Sequence, residues 1–176
     1  ATLHEMAAKP DAGAILAQTA VPILPDDTAY DVFGKVTVAA EQTLWKVLPA
    51  LLAGHPPSLP NNLEQGSYFG GRKPEDGRID WQQPAQAIYN LHRAVAPPYP
   101  GAFTELAGQT WTIRRARLAD ESFPDLPPGL AVVDSRMLGV GADARALLIL
   151  ELAADGEAAT PQQLRQAILA ARNPLK

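Results

Sequence analysis

Short apolar runs separated by a turn open the chain, a pattern typical of two strands joined by a loop. The runs are Ala1–Met6 and Ala14–Leu24, and Pro25 ends the second one. Between them, Lys9–Gly13 carries a turn signal, because its proline fixes φ and its glycine tolerates a positive φ. We therefore predict a strand, a turn and a second strand at the start of the chain.

Apolar positions at helical spacing predict one long helix next. Asp26–Thr28 offers N-cap residues, and Asp31 lies near the first turn, where the helix dipole favours negative charge. The apolar positions are Val32, Phe33, Val36, Ala40, Leu44, Leu48 and Leu51. Gly54 suits the residue after the C-cap, and Pro49 is expected to kink or shorten the end of the helix.

The middle of the chain is predicted to hold a linker, a loop and a second helix. Residues 55–65 contain three prolines and two asparagines, which favours a linker between domains. Ser67–Asp80 is charged and glycine-rich, as expected of a loop that orders on contact. Pro84–Val95 has helical spacing, and the proline-rich turn Pro97–Gly101 ends that helix.

The rest of the chain is rich in strand-like runs. Ala102–Leu106 and Gln109–Leu118 flank an Ala-Gly pair, which predicts a hairpin. Further short strands are predicted at Ala131–Val133, Arg136–Val140 and Ala146–Leu152. Thr160–Gln163 is a capping box with proline at the first helical position, so it opens a last helix. Short strands followed by a terminal helix indicate a small open barrel.

Composition narrows the class of protein. A chain of 176 residues, 47% hydrophobic and 19% charged, is typical of one globular domain or two small ones. The absence of cysteine excludes disulfides, thiolate zinc sites and cysteine nucleophiles, and it fits a cytoplasmic protein. A net charge of −4 argues against coating nucleic acid, and the apolar runs are too short for membrane insertion. Because Ala1 is not an initiator methionine, we expect a part of a longer protein.

Three stretches of the chain resemble one enzyme family in their order and spacing. They are Thr2–Met6 with Lys9–Ile15, Gly66–Trp81, and Asn90–Val95 with Pro98–Ala102. They resemble, in turn, the segment of 10-formyltetrahydrofolate-dependent formyltransferases that holds the catalytic aspartate, the inter-domain segment, and the helix and proline turn that enter the C-terminal domain. Beyond Gly101 only the outline matches. The members that act on UDP-4-amino-4-deoxy-L-arabinose are the most similar, and the methionyl-tRNA enzymes come second.

The resemblance implies that the catalytic residues are divided between this chain and polypeptide before Ala1. The family's catalytic asparagine and histidine lie in that earlier portion, so this chain alone is expected not to catalyse the reaction. Asp11 matches the aspartate that orients the histidine, and an anion beside an imidazole favours its charged form. By position, the folate pocket is lined by Ala7, Ala8, Lys9, Pro10 and Asp11. No metal is implied.

A basic cluster in the glycine-rich loop is the candidate substrate contact. Arg72 and Lys73, together with Arg78, would suit the diphosphate of a UDP-sugar, because guanidinium groups bind phosphate well. The alternative is a solvated loop in which these cations pair with Glu75 and Asp76.

Other candidate residues also have an ordinary structural alternative. Asp11 is of a type that commonly holds its own backbone in an Asx-turn. Arg115 and Arg117 alternate along a strand, which indicates a solvated face. Trp81 and Trp111 are more often core anchors than stacking platforms.

The sequence therefore predicts an α/β protein with two parts. Residues 1–60 would form the C-terminal part of a Rossmann-like formyltransferase domain, and residues 61–176 an OB-like open barrel. The resemblance implies transfer of a formyl group from 10-formyltetrahydrofolate to the 4-amino group of a UDP-aminosugar, UDP-4-amino-4-deoxy-L-arabinose, in lipid A modification. The expected partners are folate and the UDP-aminosugar, without nucleic acid, and a homo-oligomer is left open. The alternatives are a methionyl-tRNA formyltransferase and a non-catalytic binding module.

Overall fold

The computed structural model describes residues 1–172, which belong to two compact units. The first unit is Ala1–Gly71, and the second begins at Arg72. No helix among the described residues is both long enough and apolar enough to span a membrane. Asn173 to Lys176, read from sequence as part of the C-terminal region, lie outside the described residues.

The first unit consists of a small hairpin, a long helix and a short 3-10 helix. Strands β1 (Thr2–His4) and β2 (Ile15–Gln18) pair antiparallel, and helix α1 (Ala29–Leu52) follows. The 3-10 helix is Leu63–Gln65. These elements confirm the predicted order of strand, turn, strand and helix.

Helix α1 begins and ends at the predicted signals. Thr28 is the N-cap, and it forms a capping box with Asp31, whose carboxylate accepts a hydrogen bond of 2.9 Å from the Thr28 N–H. Gly54 follows the C-cap with a φ of 75°, which glycine adopts without steric cost. Pro49 lies inside the helix, which continues to Leu52. Pro49 therefore comes close to the helix end but does not itself end the helix.

Strand β2 is shorter than the sequence predicted. The apolar run was expected to be a strand as far as Leu24, but the strand ends at Gln18. Strand β1 is only three residues long, so residues beyond Thr19 have no β1 residue opposite them. Two prolines in Val21–Pro25 also lack the N–H that a further ladder would need.

Buried residues are few in the first unit. Helix α1 buries Ala39, Thr43 and Val47, while Trp45 is 63% exposed and Leu52 is 81% exposed. Helix α1 therefore carries apolar residues on more of its surface than the first unit buries.

The second unit is a curled antiparallel half-barrel with two helices. Its elements are a 3-10 turn at Pro74–Gly77, α2 (Ala85–Val95), β3 (Ala102–Leu106), β4 (Gln109–Ser122), β5 (Gly129–Val133), β6 (Arg136–Val140), β7 (Arg145–Ala154), β8 (Glu157–Ala158) and α3 (Pro161–Arg172). The strand order is β3-β4-β7-β6-β5, and β8 pairs with β7. Register shifts between β4 and β7 bend the long strands, as bulges do, and this produces the curl. The predicted mixed α/β class with a β-rich second part is confirmed.

The larger of two hydrophobic clusters in the second unit joins the sheet to both helices. Its Trp111, Ile113 and Leu147 are almost completely buried, and Leu164 of α3 belongs to the same cluster. The Trp111 indole Nε1 donates to the Leu106 carbonyl at 3.2 Å, so its polar atom is satisfied. The prediction that Trp111 is a core anchor is therefore confirmed. Trp81 is partly buried against the same core, and its Nε1 donates to Thr104 Oγ1 at 3.1 Å.

Helix α2 packs on this core and is completed at its N-terminus by a distant residue. Its N-cap, Pro84, makes no side-chain cap. Instead, Asp143 accepts a hydrogen bond of 3.0 Å from the Ala85 N–H. Gly141 allows this approach, because a Cβ there would lie 2.5 Å from the Ala85 nitrogen.

His92 is a buried titratable group on α2. It is 3% exposed, and it donates a hydrogen bond to the backbone of Ile113, while its Nδ1 has no partner within the described residues. Burial disfavours the charged ring and lowers the pKa of His92 to about 4; the bond to Ile113 opposes this shift, and the charge of Arg93 adds to it.

Candidate functional site

The loop between β1 and β2 holds the residues that were predicted to act in catalysis and folate binding. At its base, the Glu5 N–H donates to the Ala14 carbonyl at 2.9 Å. Gly13 lies directly against the same backbone, since a Cβ at this position would be 1.8 Å from the Glu5 carbonyl oxygen. Any side chain at residue 13 would therefore push this loop apart.

The positive φ in this loop occurs at Asp11 and not at Gly13, which corrects the turn as predicted. Asp11 has a φ of 57°, a left-handed conformation that aspartate tolerates better than most residues. Glycine at position 13 is required for space rather than for its backbone freedom.

The Asp11 carboxylate is exposed and faces a histidine of strand β1. Its side chain is 88% exposed, and Oδ1 lies 3.5 Å from Nε2 of His4. The other ring nitrogen, Nδ1 of His4, is 2.7 Å from the Glu5 carbonyl oxygen. Because a carbonyl oxygen only accepts, Nδ1 is the donor in this hydrogen bond, and Nε2 is the nitrogen that faces Asp11. Within residues 1–172 the carboxylate makes no hydrogen bond to the loop backbone, so the Asx-turn alternative is not formed.

Asn61 ties this loop to the segment that follows α1. Its Nδ2 donates to the Asp11 carbonyl at 2.8 Å and to the Gly13 carbonyl at 3.1 Å. Leu59 and Ile15 exchange two backbone hydrogen bonds of 2.9 Å next to it. Residues 55–65, predicted as a linker, thus belong to the first unit and are hydrogen-bonded to its hairpin. Sequence reasoning missed Asn61; the only signal was a paired asparagine in a proline-rich segment.

The predicted folate-lining residues are open to solvent. Ala7, Ala8, Lys9 and Pro10 are all exposed, and the adjacent Met6 is 98% exposed. The Lys9 carbonyl accepts a hydrogen bond of 3.3 Å from Ala12, which forms the turn. The structure therefore presents this stretch as an accessible loop with a fixed base.

The basic loop cluster separates into two parts. Arg78 donates to Glu105 at 2.8 Å and lies 5.1 Å from the centre of the Phe103 ring. The hydrogen bond from Arg78, and then its charge, lowers the pKa of Glu105. Arg78 is thus already occupied on the half-barrel surface.

Arg72 and Lys73 are exposed at the start of the second unit and make no ion pair within the described part of the chain. The expected partner Asp76 instead accepts a hydrogen bond from the Lys73 backbone N–H at 2.8 Å, which caps the 3-10 turn. The alternative in which Asp76 neutralises the lysine side chain is therefore not observed.

Arg115 and Arg117 behave as the solvated face that the sequence indicated. Their side chains are 64% and 56% exposed, and they pair with Glu151 at 2.8 Å and Asp120 at 3.9 Å. Both pairs are exposed and contribute little to stability.

A groove of about 530 Å³ lies elsewhere in the first unit. It runs between residues 19–22 and one side of α1, where Lys35 pairs with Asp27 at 2.5 Å. None of the predicted site residues lines this groove.

The second unit defines a class of protein by its architecture: an antiparallel half-barrel packed against two helices, entered through a helix and a proline-rich turn. Residues 72–167 match the family Formyl transferase, C-terminal domain, which is more than half of the chain. The chain belongs to this family.

Solved structures share the fold at low sequence identity. An N-formyltransferase from Helicobacter canadensis, in complex with folinic acid and dTDP-3-aminofucose, is 20% identical with a TM-score of 0.68, over 84% of this chain and 54% of that one. HypX from Aquifex aeolicus, in complex with tetrahydrofolic acid, is 20% identical with a TM-score of 0.64, over 86% and 26%. Methionyl-tRNA formyltransferase from Clostridium thermocellum is 21% identical with a TM-score of 0.52, over 68% and 50%. The chain thus spans about half the length of the two formyltransferases and about a quarter of HypX.

Proposed function

We propose that this chain is the C-terminal portion of a formyltransferase that moves a formyl group from 10-formyltetrahydrofolate to the 4-amino group of a UDP-aminosugar, UDP-4-amino-4-deoxy-L-arabinose. The observation that carries the proposal is the Asp11 carboxylate, presented at the tip of a loop whose base is fixed. Family membership supports formyl transfer, and the Helicobacter canadensis relative holds both a folate and a nucleotide-linked aminosugar.

Asp11 has a clear task in such a reaction. Attack of an amine on the formyl group gives a tetrahedral oxyanion, which needs a hydrogen-bond donor and a group that handles the proton. In the proposal these are a histidine and an asparagine from polypeptide before Ala1, and Asp11 orients the histidine and stabilises its charged form. The first unit then belongs to a Rossmann-like domain, and the second unit to an OB-like one.

The two co-substrates are assigned to different segments. Ala7 to Asp11 form one wall of the folate pocket, supported by their exposure and by the fixed base of the loop. Arg72 and Lys73 contact the diphosphate, supported by their exposure and by the lack of an ion-pair partner within residues 1–172. The proposed enzyme works in the cytoplasm without a metal.

The decisive experiment assays the full-length protein for formylation of the UDP-aminosugar and of charged initiator tRNA, side by side. We expect product from the sugar and weak binding of tRNA with little dependence on salt, because the net charge is −4. Formylation of the tRNA alone would favour the methionyl-tRNA enzyme, and binding without turnover of either substrate would favour a non-catalytic module.

The role of Asp11 is tested by Asp11→Asn, which we expect to lower turnover by orders of magnitude, since a neutral amide cannot stabilise an imidazolium. Asp134→Asn is the matched control. Asp134 is also an exposed aspartate with a positive φ, 46°, but it lies in the β5–β6 turn. Equal turnover of the two variants would remove Asp11 from the catalytic set.

The diphosphate contact is tested by replacing Arg72 and Lys73 together with alanine. We expect the KM for the UDP-sugar to rise by roughly tenfold or more and the KM for folate to stay unchanged. Replacing Arg115 and Arg117 removes the same charge from an exposed strand and serves as the control. A shift of both KM values by less than about twofold would show that the pair is solvated surface.

A further inference from the structure

The side-chain amide of Asn61 donates both of its hydrogen bonds to one loop. A single side-chain amide nitrogen carries two hydrogens, and in Asn61 they point to the carbonyls of Asp11 and Gly13, at 2.8 and 3.1 Å. The residues that it joins are 50 and 48 positions away in the chain. Such a contact therefore fixes the loop relative to a separate segment of the first unit and not relative to its own neighbours.

The Asp11 backbone has few other restraints. Residues 6–11 are exposed, so core packing does not hold them. The backbone hydrogen bonds at Glu5–Ala14 and Lys9–Ala12 close the base and the turn of the loop. The left-handed φ of 57° at Asp11 is less favourable than a right-handed conformation for a residue with a Cβ, so a contact from outside the turn helps to hold it.

The segment that carries Asn61 is itself well anchored. Leu59 forms a β-bridge with Ile15, the first residue of strand β2, through backbone hydrogen bonds of 2.9 Å in both directions. Asn61 lies two residues after Leu59. Its hydrogen bonds therefore hold the tip of the loop in a fixed position relative to strand β2.

We propose that Asn61 is a positioning residue, which fixes the backbone of Asp11 and thereby the direction of its carboxylate. The inference rests on the proposed function of Asp11. Asn61 acts through Asp11 alone and touches neither substrate.

Substitutions separate this role from general damage to the loop. Asn61→Ala removes both hydrogen bonds. Asn61→Asp keeps the size of the side chain but turns an acceptor towards two carbonyl oxygens, so it removes the donors and adds repulsion. Asn62→Ala is the matched control, since this neighbouring asparagine accepts a hydrogen bond from the Glu64 N–H at 3.2 Å and makes no side-chain hydrogen bond to the loop among residues 1–172.

In the full-length enzyme, we expect Asn61→Ala and Asn61→Asp to lower kcat by roughly tenfold or more, with the KM for the aminosugar nucleotide within about twofold. Asn62→Ala should keep kcat within about twofold. The discriminating measurement is a double-mutant cycle with Asp11→Asn, read by single-turnover formylation. If Asn61 acts through Asp11, adding Asn61→Ala to Asp11→Asn should change the rate by less than about twofold.

Two results would overturn the inference while leaving the proposed function intact. One is wild-type kcat in both Asn61 variants when Asp11→Asn is inactive. The other is an equal loss from Asn61→Ala in the presence and absence of the Asp11 carboxylate, which would mean that Asn61 only supports the fold. Wild-type activity of Asp11→Asn would instead remove the proposed role of Asp11 and this inference together.

Discussion

The two units of this chain differ in how completely they bury their apolar side chains. In the half-barrel, Trp111 is 1% exposed and Leu147 and Leu164 are fully buried. In the first unit, α1 buries three residues along 24, and Trp45 on the same helix is 63% exposed. The half-barrel therefore holds its own core, whereas the first unit buries few apolar residues beneath the loop that holds Asp11. Stability and proposed chemistry lie in separate parts of the molecule.

The largest expected effect comes from separating the units. Residues 72–176 produced alone should fold cooperatively, because their core is complete within the unit. Residues 1–71 alone should not, since too little apolar surface is buried to offset chain entropy. Denaturant titration followed by circular dichroism measures both. A cooperative transition in residues 1–71 would contradict the comparison.

The same alanine substitution at one tryptophan in each unit tests this contrast more finely. Trp111→Ala should cost about 3–5 kcal/mol of unfolding free energy, because it empties a packed core. Trp45→Ala should stay within about 0.5 kcal/mol, as expected for an exposed position. Urea unfolding of the intact chain, with amide exchange to follow the half-barrel, compares them. Similar costs for both would show that α1 is buried in solution.

Acid should weaken the half-barrel through His92. Its pKa is about 4 in the folded chain against an ordinary 6.5, so above pH 6.5 both states are neutral and the group has no effect. As the pH falls from 6.5 to 4, only the unfolded state binds the proton, and stability is lost, by about 3 kcal/mol in full.

His92→Gln keeps a donor for the Ile113 carbonyl but does not titrate, so its unfolding free energy should lose this part of the pH dependence. His55→Gln, at an exposed histidine, is the control and should behave like the wild type. Parallel pH profiles for His92→Gln and wild type would contradict the assignment.

The smallest expected effect concerns the long-range cap of α2. Asp143→Ala removes the acceptor for the Ala85 N–H and should destabilise the half-barrel by about 1 kcal/mol. Asp120→Ala, at an aspartate whose side chain is 95% exposed, should change stability much less. Equal midpoints of thermal unfolding for the two variants would show that water replaces Asp143 without loss.

Local signals explain which parts of the fold were predictable. The β3–β4 hairpin follows from Ala107-Gly108, whose φ values of 52° and 76° suit a two-residue turn. The N-cap candidates Asp26–Thr28 and the capping box at Thr160 placed the starts of α1 and α3 correctly. The short strand β8 was missed, because two exposed residues, Glu157 and Ala158, show no alternation.

The candidate site was predictable only where a short stretch of sequence or the family resemblance pointed to a residue. The resemblance singled out Asp11, and its role stays a prediction. The contacts of Asn61 and Asp143 join residues 50 and 58 positions apart, so no periodicity reveals them. The proximity of His4 to Asp11 depends on the hairpin, which places residues from either side of the loop together.

The cap from Asp143 also sets an order of events during synthesis on the ribosome. Residues 85–95 emerge from the ribosome before residue 143 does, so the nascent α2 at first has no acceptor at its first turn. A helix of 11 residues is marginal in water by itself. It gains its cap, and the part of its packing surface that β7 provides, only after the β6–β7 hairpin has emerged. The helix that precedes the half-barrel in sequence should therefore become stable late in its folding.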